Sequence, residues 1–413
     1  MARLTRFTQL TATALLAMAG AAAQATDLSW SGFGTIGAAV SDRDYLYQHH
    51  IDANGTLNQD SVFGGQVDAQ FTPEWSATLQ AKLAPSLRHE DRWDLSASWA
   101  FVSWRPSNEW QVRAGKLRVP IYLFSENLDV GESYDLARMP TETYSIAPTT
   151  DLTGLYFTRT WNLAASELSL DVLSGGARVY HRFYTRDTGP DTKHVNTQIK
   201  GGVLSWRTDE LTLRAGWLHA NTKLRFEPGY PTELAYTPVG GGLYAYIPTG
   251  FTNRIVNDVF TLGMDWRLSG GWRVLAEYER DVQHKTTLGA NTYGGHVAVL
   301  KTIARWTPYA VVAGIKSTSA QDKLRSSLNA VYVPGADQLM AAQRQLADGM
   351  PYYDQYAVGV GTSFALNANS KLKAEWMHTR IRHGSTMVDS PSGAPPVANA
   401  DINVLSLSYN FTF

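Results

Sequence analysis

The chain ends on Leu405-Ser406-Leu407-Ser408-Tyr409-Asn410-Phe411-Thr412-Phe413, and the alternation of that stretch decides the fold. Successive side chains of an extended strand point to opposite faces. One face here collects Leu405, Leu407, Tyr409, Phe411 and Phe413, and the other collects Val404, Ser406, Ser408, Asn410 and Thr412. A strand that is bulky and aromatic on one side and hydroxylic on the other divides two different solvents.

Working back from this strand, the same period-two pattern recurs along the chain. It predicts strands at about 28–40, 61–71, 76–85, 93–104, 110–117, 151–160, 166–174, 195–207, 210–221, 256–268, 272–282, 294–306, 309–318, 354–366, 370–382 and 401–413, sixteen in all. Very short turns, such as Thr72-Pro73-Glu74, Ser269-Gly270-Gly271 and Asn367-Ala368-Asn369, alternate with longer polar loops. Turn formers at every second junction fit hairpins, and the asymmetry between short turns and long loops fits a transmembrane barrel. Several strands sort into two faces. Phe260, Leu262, Met264 and Trp266 alternate with Thr261, Gly263, Asp265 and Arg267; Trp272, Val274, Ala276 and Tyr278 alternate with Arg273, Leu275, Glu277 and Glu279. A polar inside behind an apolar outside inverts the soluble arrangement, as lipid around water requires. The predicted fold is therefore all-β, a transmembrane antiparallel barrel of about sixteen strands with a constriction loop folded inward. Trp75, Trp110, Trp161, Trp206, Trp266, Trp272 and Trp306 fall beside short turns and read as an interfacial girdle on one edge. Two places break phase: Val112 to Lys116 near Gly115, and the run Trp376, His378, Arg380. A glycine bulge, or a strand end above the membrane, would account for each.

Composition and the N-terminus agree with this. Only 18% of the 413 residues are charged while 44% are hydrophobic, and there is no cysteine. Disulfides, thiolate chemistry and Cys-ligated metals are thereby excluded. Arg3 and Arg6, the apolar run Leu10 to Ala19, and Ala23-Gln24-Ala25 make a signal peptide over 1–25, leaving a barrel domain over 26–413. Removing it takes two of 36 basic residues and none of 37 acidic ones, so the remainder is slightly acidic with mixed signs. That balance gives no nucleic-acid signal. Nothing after the leader is a long apolar run, which excludes a helical membrane protein.

The terminal strand resembles the C-terminal strand of bacterial outer-membrane barrels, which the family's assembly machinery reads as an insertion signal; the resemblance implies that role for Tyr409, Phe411 and Phe413. The architecture resembles the sixteen-stranded general and substrate-selective porins of Gram-negative bacteria. It implies a homotrimer in outer-membrane lipid, passing ions or small hydrophilic solutes, with a long third outer loop in the lumen. The run Arg113-Ala114-Gly115-Lys116-Leu117-Arg118-Val119-Pro120 also looks like the strand-to-loop segment of the phosphate-selective porin group.

Sixteen strands enclose a lumen too wide for side chains to fill, so the obstruction sets function. The segment Arg118 to Thr150 is long enough to enter it and carries Glu126, Asp129, Glu132, Asp135 and Glu142 against Arg118 and Arg138. Lumen-wall candidates are Lys82, Arg113, Lys116, Arg214, Arg273, Lys371 and Lys373, with Glu277, Glu279 and Glu375 opposing them. Loop acids facing wall cations create a transverse field that steers ions. A charged residue on such a face is also commonly just solvated or paired. No metal or cofactor is expected: His49-His50 has no carboxylates at ligand spacing, and Gly240-Gly241-Gly242 reads as a flexible outer loop rather than a phosphate loop. Leu339, Met340, Gln343 and Leu346 predict a short helix over Ala336 to Ala347, folded across the rim. No Gly-x-Ser-x-Gly elbow is present, so an enzyme is not expected. The alternatives that stay open are an outer-membrane barrel enzyme and a structural or adhesion barrel without an open pore.

Overall fold

A computed structural model describes residues 27–86, 88, 92–147, 149–225 and 228–413. The expected signal peptide, 1–25, lies outside the described residues. Among the described residues eighteen strands form: β1 (Asp27–Ser41), β2 (Val62–Gln70), β3 (Trp75–Pro85), β4 (Trp93–Ser107), β5 (Trp110–Arg118), β6 (Asp151–Leu163), β7 (Ser166–Thr185), β8 (Gly189–Arg207), β9 (Leu211–Lys223), β10 (Tyr230–Gly240), β11 (Leu243–Thr252), β12 (Arg254–Leu268), β13 (Trp272–His284), β14 (Asn291–Lys301), β15 (Trp306–Ser317), β16 (Tyr353–Asn367), β17 (Ser370–Ser385) and β18 (Ala400–Thr412). All but β10 and β11 close into one barrel in which each strand pairs with its sequence neighbours, β9 with β12, and β1 with β18. The pairs are antiparallel throughout. These sixteen staves are the sixteen strands read from alternation.

Closure runs through the terminal strand. Ile36 lies opposite Tyr409 and Val40 opposite Leu405, and Gly32 and Phe413 exchange backbone hydrogen bonds of 2.9 and 3.0 Å. The faces sort as the sequence dictates. On β13, Trp272 and Tyr278 are exposed to the outside while Leu275, Glu277 and Glu279 are buried toward the lumen. The girdle is real and sits at the short-turn end: Trp75 stacks on Trp104, Trp306 packs on Phe364, and Trp30 meets Phe413 edge-on.

Neither phase break is a bulge: β5 keeps its register with β4 and β6 through Gly115, and β17 keeps its register with β16 and β18 from Trp376 to Arg380. Gly115 has φ of +138°, a conformation L residues avoid, and a Cβ there would stand 2.2 Å from the Ala100 carbonyl oxygen. Trp376, His378 and Arg380 do share the outer face, at the loop-side end of β17, where Arg380 Nη1 lies 2.9 Å from Asp401.

The loops add what alternation did not reveal. Gly240-Gly241-Gly242, expected as a flexible loop, is the tight turn of the β10–β11 hairpin, all three with positive φ. Pro231, Pro238 and Pro248 interrupt that hairpin's pattern, because a proline cannot donate to a ladder. Among the described residues three α-helices form: α1 (Thr141–Tyr144), α2 (Ser319–Ala330) and α3 (Asp337–Asp348). The last is the helix predicted over Ala336 to Ala347. Its neighbour α2 was not expected.

Candidate functional site: the inward loop and the lumen wall

The segment after β5 turns into the barrel because its first residues are apolar and find an apolar pocket there. Val119, Ile121 and Tyr122 bury against Leu117, Leu152, Tyr156 and Leu173 from the lumen faces of β5 to β7. Backbone and tyrosine hydrogen bonds then pin the loop to the far wall. Thr261 donates to the Ile121 carbonyl at 3.0 Å and Arg214 Nη1 to the Tyr122 carbonyl at 2.6 Å. The Tyr122 hydroxyl donates to Glu279 at 2.6 Å, and Leu123 N–H and the Tyr144 hydroxyl donate to Glu277 at 2.8 and 2.5 Å. Glu277 and Glu279, expected to oppose wall cations, thus hold the loop instead.

The chain next crosses to the other side. Glu126 Oε1 stands 3.7 Å from Arg113 Nη1. Asp129 takes Lys82 Nζ at 2.7 Å and pairs with Arg118. Gly131 fits against Thr35 and Asn410, where a Cβ would fall 2.1 Å from the Asn410 side-chain oxygen. Lys373 Nζ donates to the carbonyls of Gly131 and Leu136 at 2.6 and 2.9 Å. Lys371 lies 3.7 Å from Glu132 and 3.3 Å from Asp135. Asp135 also accepts from Ser363 at 2.8 Å and has Arg273 at 3.9 Å, although Arg273 is more tightly held by Asp265, at 2.8 Å on two nitrogens.

The return path is fixed as firmly. The Tyr309 hydroxyl accepts from Ala137 N–H at 2.9 Å and donates to Glu375 at the same distance. Arg138 grips Asp60 with two nitrogens, at 2.7 and 2.5 Å. Gln355 donates to Glu142 at 2.8 Å, and Thr143 bonds His296 at 2.9 Å. Lys116 pairs with Asp151 across the β5–β6 mouth at 3.2 Å. Every acid named on the loop from sequence, and Arg138, has a polar partner on the wall or on another loop, while Arg118 pairs with Asp129 of the loop itself. Asp60, Tyr122, Tyr144, Asp265 and Tyr309 are the partners sequence reading missed. Tyrosines carry no formal charge, and a search for opposed charges passes over them.

Burial and charge act on the loop acids in opposite directions. Burial would raise the Asp135 carboxyl, but Lys371, the Ser363 hydrogen bond and Lys373 outweigh it and hold the group below its usual range. Burial dominates at Glu142 and pushes that carboxyl up. Above the loop lies an outer vestibule of about 420 Å³, bordered by Arg182, Tyr184 and Arg186. Arg182 is paired with Asp389 at 2.6 Å and Arg186 with Asp348 at 2.9 Å.

A closed sixteen-stranded antiparallel barrel with a lumenal loop after its fifth strand is the fold of the outer-membrane porins. No family model and no curated protein matches the chain. Solved structures do. OmpT of Vibrio cholerae in its trimer form is 10% identical over 94% of this chain and 99% of that one, with a TM-score of 0.53. OmpF of Salmonella typhi, solved with daunomycin, is 12% identical over 93% and 97%, with a TM-score of 0.52. The outer membrane channel DcaP of Acinetobacter baumannii is 11% identical over 94% and 97%, with a TM-score of 0.50. What this chain shares with them is the fold.

Proposed function

We propose that the protein is a passive porin of the Gram-negative outer membrane, exported by cleavage near Ala25 and assembled as a homotrimer. It passes ions and small hydrophilic solutes through a charged constriction set by the loop after β5. The observation that carries this reading is the row of loop carboxylates set against wall cations: Glu126 by Arg113, Asp129 by Lys82, and Glu132 and Asp135 by Lys371. Such a row places a transverse field across the path without a tight binding site. Because acids and bases are interleaved, selectivity between anions and cations is weak. A tight phosphate site would need a denser ladder of uncompensated cations.

Planar-bilayer recording tests it. Purified protein should give discrete conductance steps, and Arg113→Glu, which sets like charge against Glu126, should shift the reversal potential in a salt gradient toward cations. The double replacement with Lys116→Glu should shift it further. An absence of steps sinks the pore, and an unchanged reversal potential removes Arg113 and Lys116 from the constriction. Cross-linking in membranes should trap a species of three copies.

A further inference from the structure

The strands β7 and β8, of 20 and 19 residues, outrun every other stave among the described residues, the next longest having 16. The excess stands above the wall. β7 has its last partners on β6 at Gly175-Gly176, and β8 has its first partner on β9 at Asn196. Past those points the two strands pair only with each other, up to Thr185 opposite Gly189. Glycine inside a strand allows a sharp bend, so the hairpin is free to leave the line of the wall where β6 lets it go. Arg182 stands six positions past Gly176, about 20 Å along an extended strand.

This overhang crosses the outer mouth. Around the ring of staves β7 is eight places from β17 one way and seven from β18 the other. Yet Arg182 meets Asp389, in the loop between those two, through both guanidinium tips at 3.0 and 2.6 Å. Beside it the Tyr184 hydroxyl donates to the Ser390 carbonyl at 2.6 Å. A second clasp stands at the end of α3, between β15 and β16. Arg186 binds Asp348 there through Nε and Nη2, each at 2.9 Å, and through its backbone N–H at 3.0 Å, while Nη2 also donates to Asn329 of α2 at 2.7 Å. Arg186 is 4% exposed and Asp389 7%, so salt screens these pairs little. With no cysteine in the chain, no disulfide seals the hairpin down.

Beneath the overhang lies the outer vestibule, walled by Tyr180 and Tyr184 of the hairpin, Met387 and Val388 of the last loop, and Thr141 and Ser145 of the inward segment. The hairpin therefore faces the constriction loop across that space. We propose that the β7–β8 overhang is a strap across the outer mouth that sets the size limit for solutes entering the vestibule, with Arg182–Asp389 and Arg186–Asp348 as its clasps. This rests on the pore given under Proposed function, and it places a filter for bulk in series with the charged constriction. The strap selects by obstruction, since each clasp arginine already holds a carboxylate. Removing one partner of a buried ion pair shifts an equilibrium by on the order of a hundredfold or more, so loss of the two acids frees the strap.

Spin-label distances in detergent, combined with sugar entry into liposomes, test the proposal. Because the chain has no cysteine of its own, Thr188→Cys at the strap tip and Ser392→Cys in the last loop, both exposed positions, give a single labelled pair. That pair should report one short distance. Adding Asp348→Asn and Asp389→Asn should bring in a longer-distance population, the open share rising on the order of a hundredfold. Without labels, liposomes carrying the unaltered barrel should swell far faster in arabinose, a pentose, than in raffinose, a trisaccharide, and the double Asn variant should lose much of that difference. Replacing residues 180–194 with an Asn-Gly turn, which suits a two-residue hairpin and cuts no pairing with β6 or β9, should lose it too. Heat-modifiable mobility confirms that each barrel is folded. An unchanged label distance in the double Asn variant overturns the clasps, and a shortened hairpin with unaltered sugar discrimination overturns the filter. The labels are read without solute flux. A strap that opens on barrels passing no sugar of any size leaves the clasps standing and removes the pore, while entry at one size limit through all the barrels keeps the pore and removes the strap.

Discussion

Gly115 shows how much one residue can constrain. It sits where β5 must keep Arg113 on the lumen side and still deliver Leu117 into the apolar pocket at the loop's root, and it does so with φ of +138°. Gly115→Ala adds a Cβ that meets the Ala100 carbonyl at 2.2 Å, so the strand must shift. We expect a loss of about 1–3 kcal/mol, read as a lower unfolding midpoint in detergent; an unchanged midpoint would mean the backbone relaxes freely there. The two buried loop acids give a second prediction at this scale. Asp135 is depressed, so its tether is present above its unfolded value and is lost as pH falls through the folded one. Glu142 is raised, so its contribution is present below its unfolded value and is lost as pH rises through the folded one. Fluctuation of the open-channel current should therefore grow as pH falls through the Asp135 value and as pH rises through the Glu142 value. Asp135→Asn should abolish the first limb and Glu142→Gln the second; a profile unaltered by both variants would detach these groups from loop motion. The sequence marked both residues as charged loop positions. It did not mark their opposite shifts, because one depends on Lys371, more than 200 positions away, and the other on burial of Glu142 inside the folded barrel.

At the scale of elements, the staves were legible and the loops were not. A strand between lipid and water must alternate, and that requirement is written locally in every one of the sixteen. The loops obey no such rule. The segment after β5 was recognisable as an obstruction from its length and acids, but its anchoring by Tyr122, Tyr144 and Tyr309 depends on Glu277, Glu279 and Glu375 arriving from distant strands. Three prolines hid the β10–β11 hairpin. This hairpin is tied to α3 through Gln343, which bonds both the N–H and the carbonyl of Tyr246, at 3.0 and 2.9 Å. It forms a separate sheet and contributes no stave. Replacing residues 230–252 with a short Gly-Ser linker should leave the barrel able to fold, seen as unchanged heat-modifiable mobility, while α3 loses its cover and becomes open to limited proteolysis. Failure of the barrel itself to form would show that the hairpin guides closure of β9 onto β12.

For the whole molecule the decisive event is closure, since an open sheet in lipid leaves one edge of unpaired backbone groups. The last stave closes onto the first, and its final residue is part of the seam. Phe413 bonds Gly32 through its backbone and lies 5.9 Å from Trp30, while its ring covers Gly32 so closely that a Cβ there would fall 2.2 Å from it. Phe413 thus fastens the seam, and we propose for the same side chain the role of an address for the assembly machinery; two variants separate the two. Gly32→Val leaves the terminal residues as they are but crowds the ring, so it should lower the unfolding midpoint of the refolded barrel while the amount reaching the membrane stays near normal. Deleting Phe413 removes address and fastening together and should lower both. Ser406→Ala and Ser408→Ala, on the lumen face of the same strand, should lower neither by a comparable amount, although Ser406 gives up a 3.2 Å bond from Arg138. If loss of Phe413 lowers the midpoint but not the membrane level, the terminal aromatic face is a seam only.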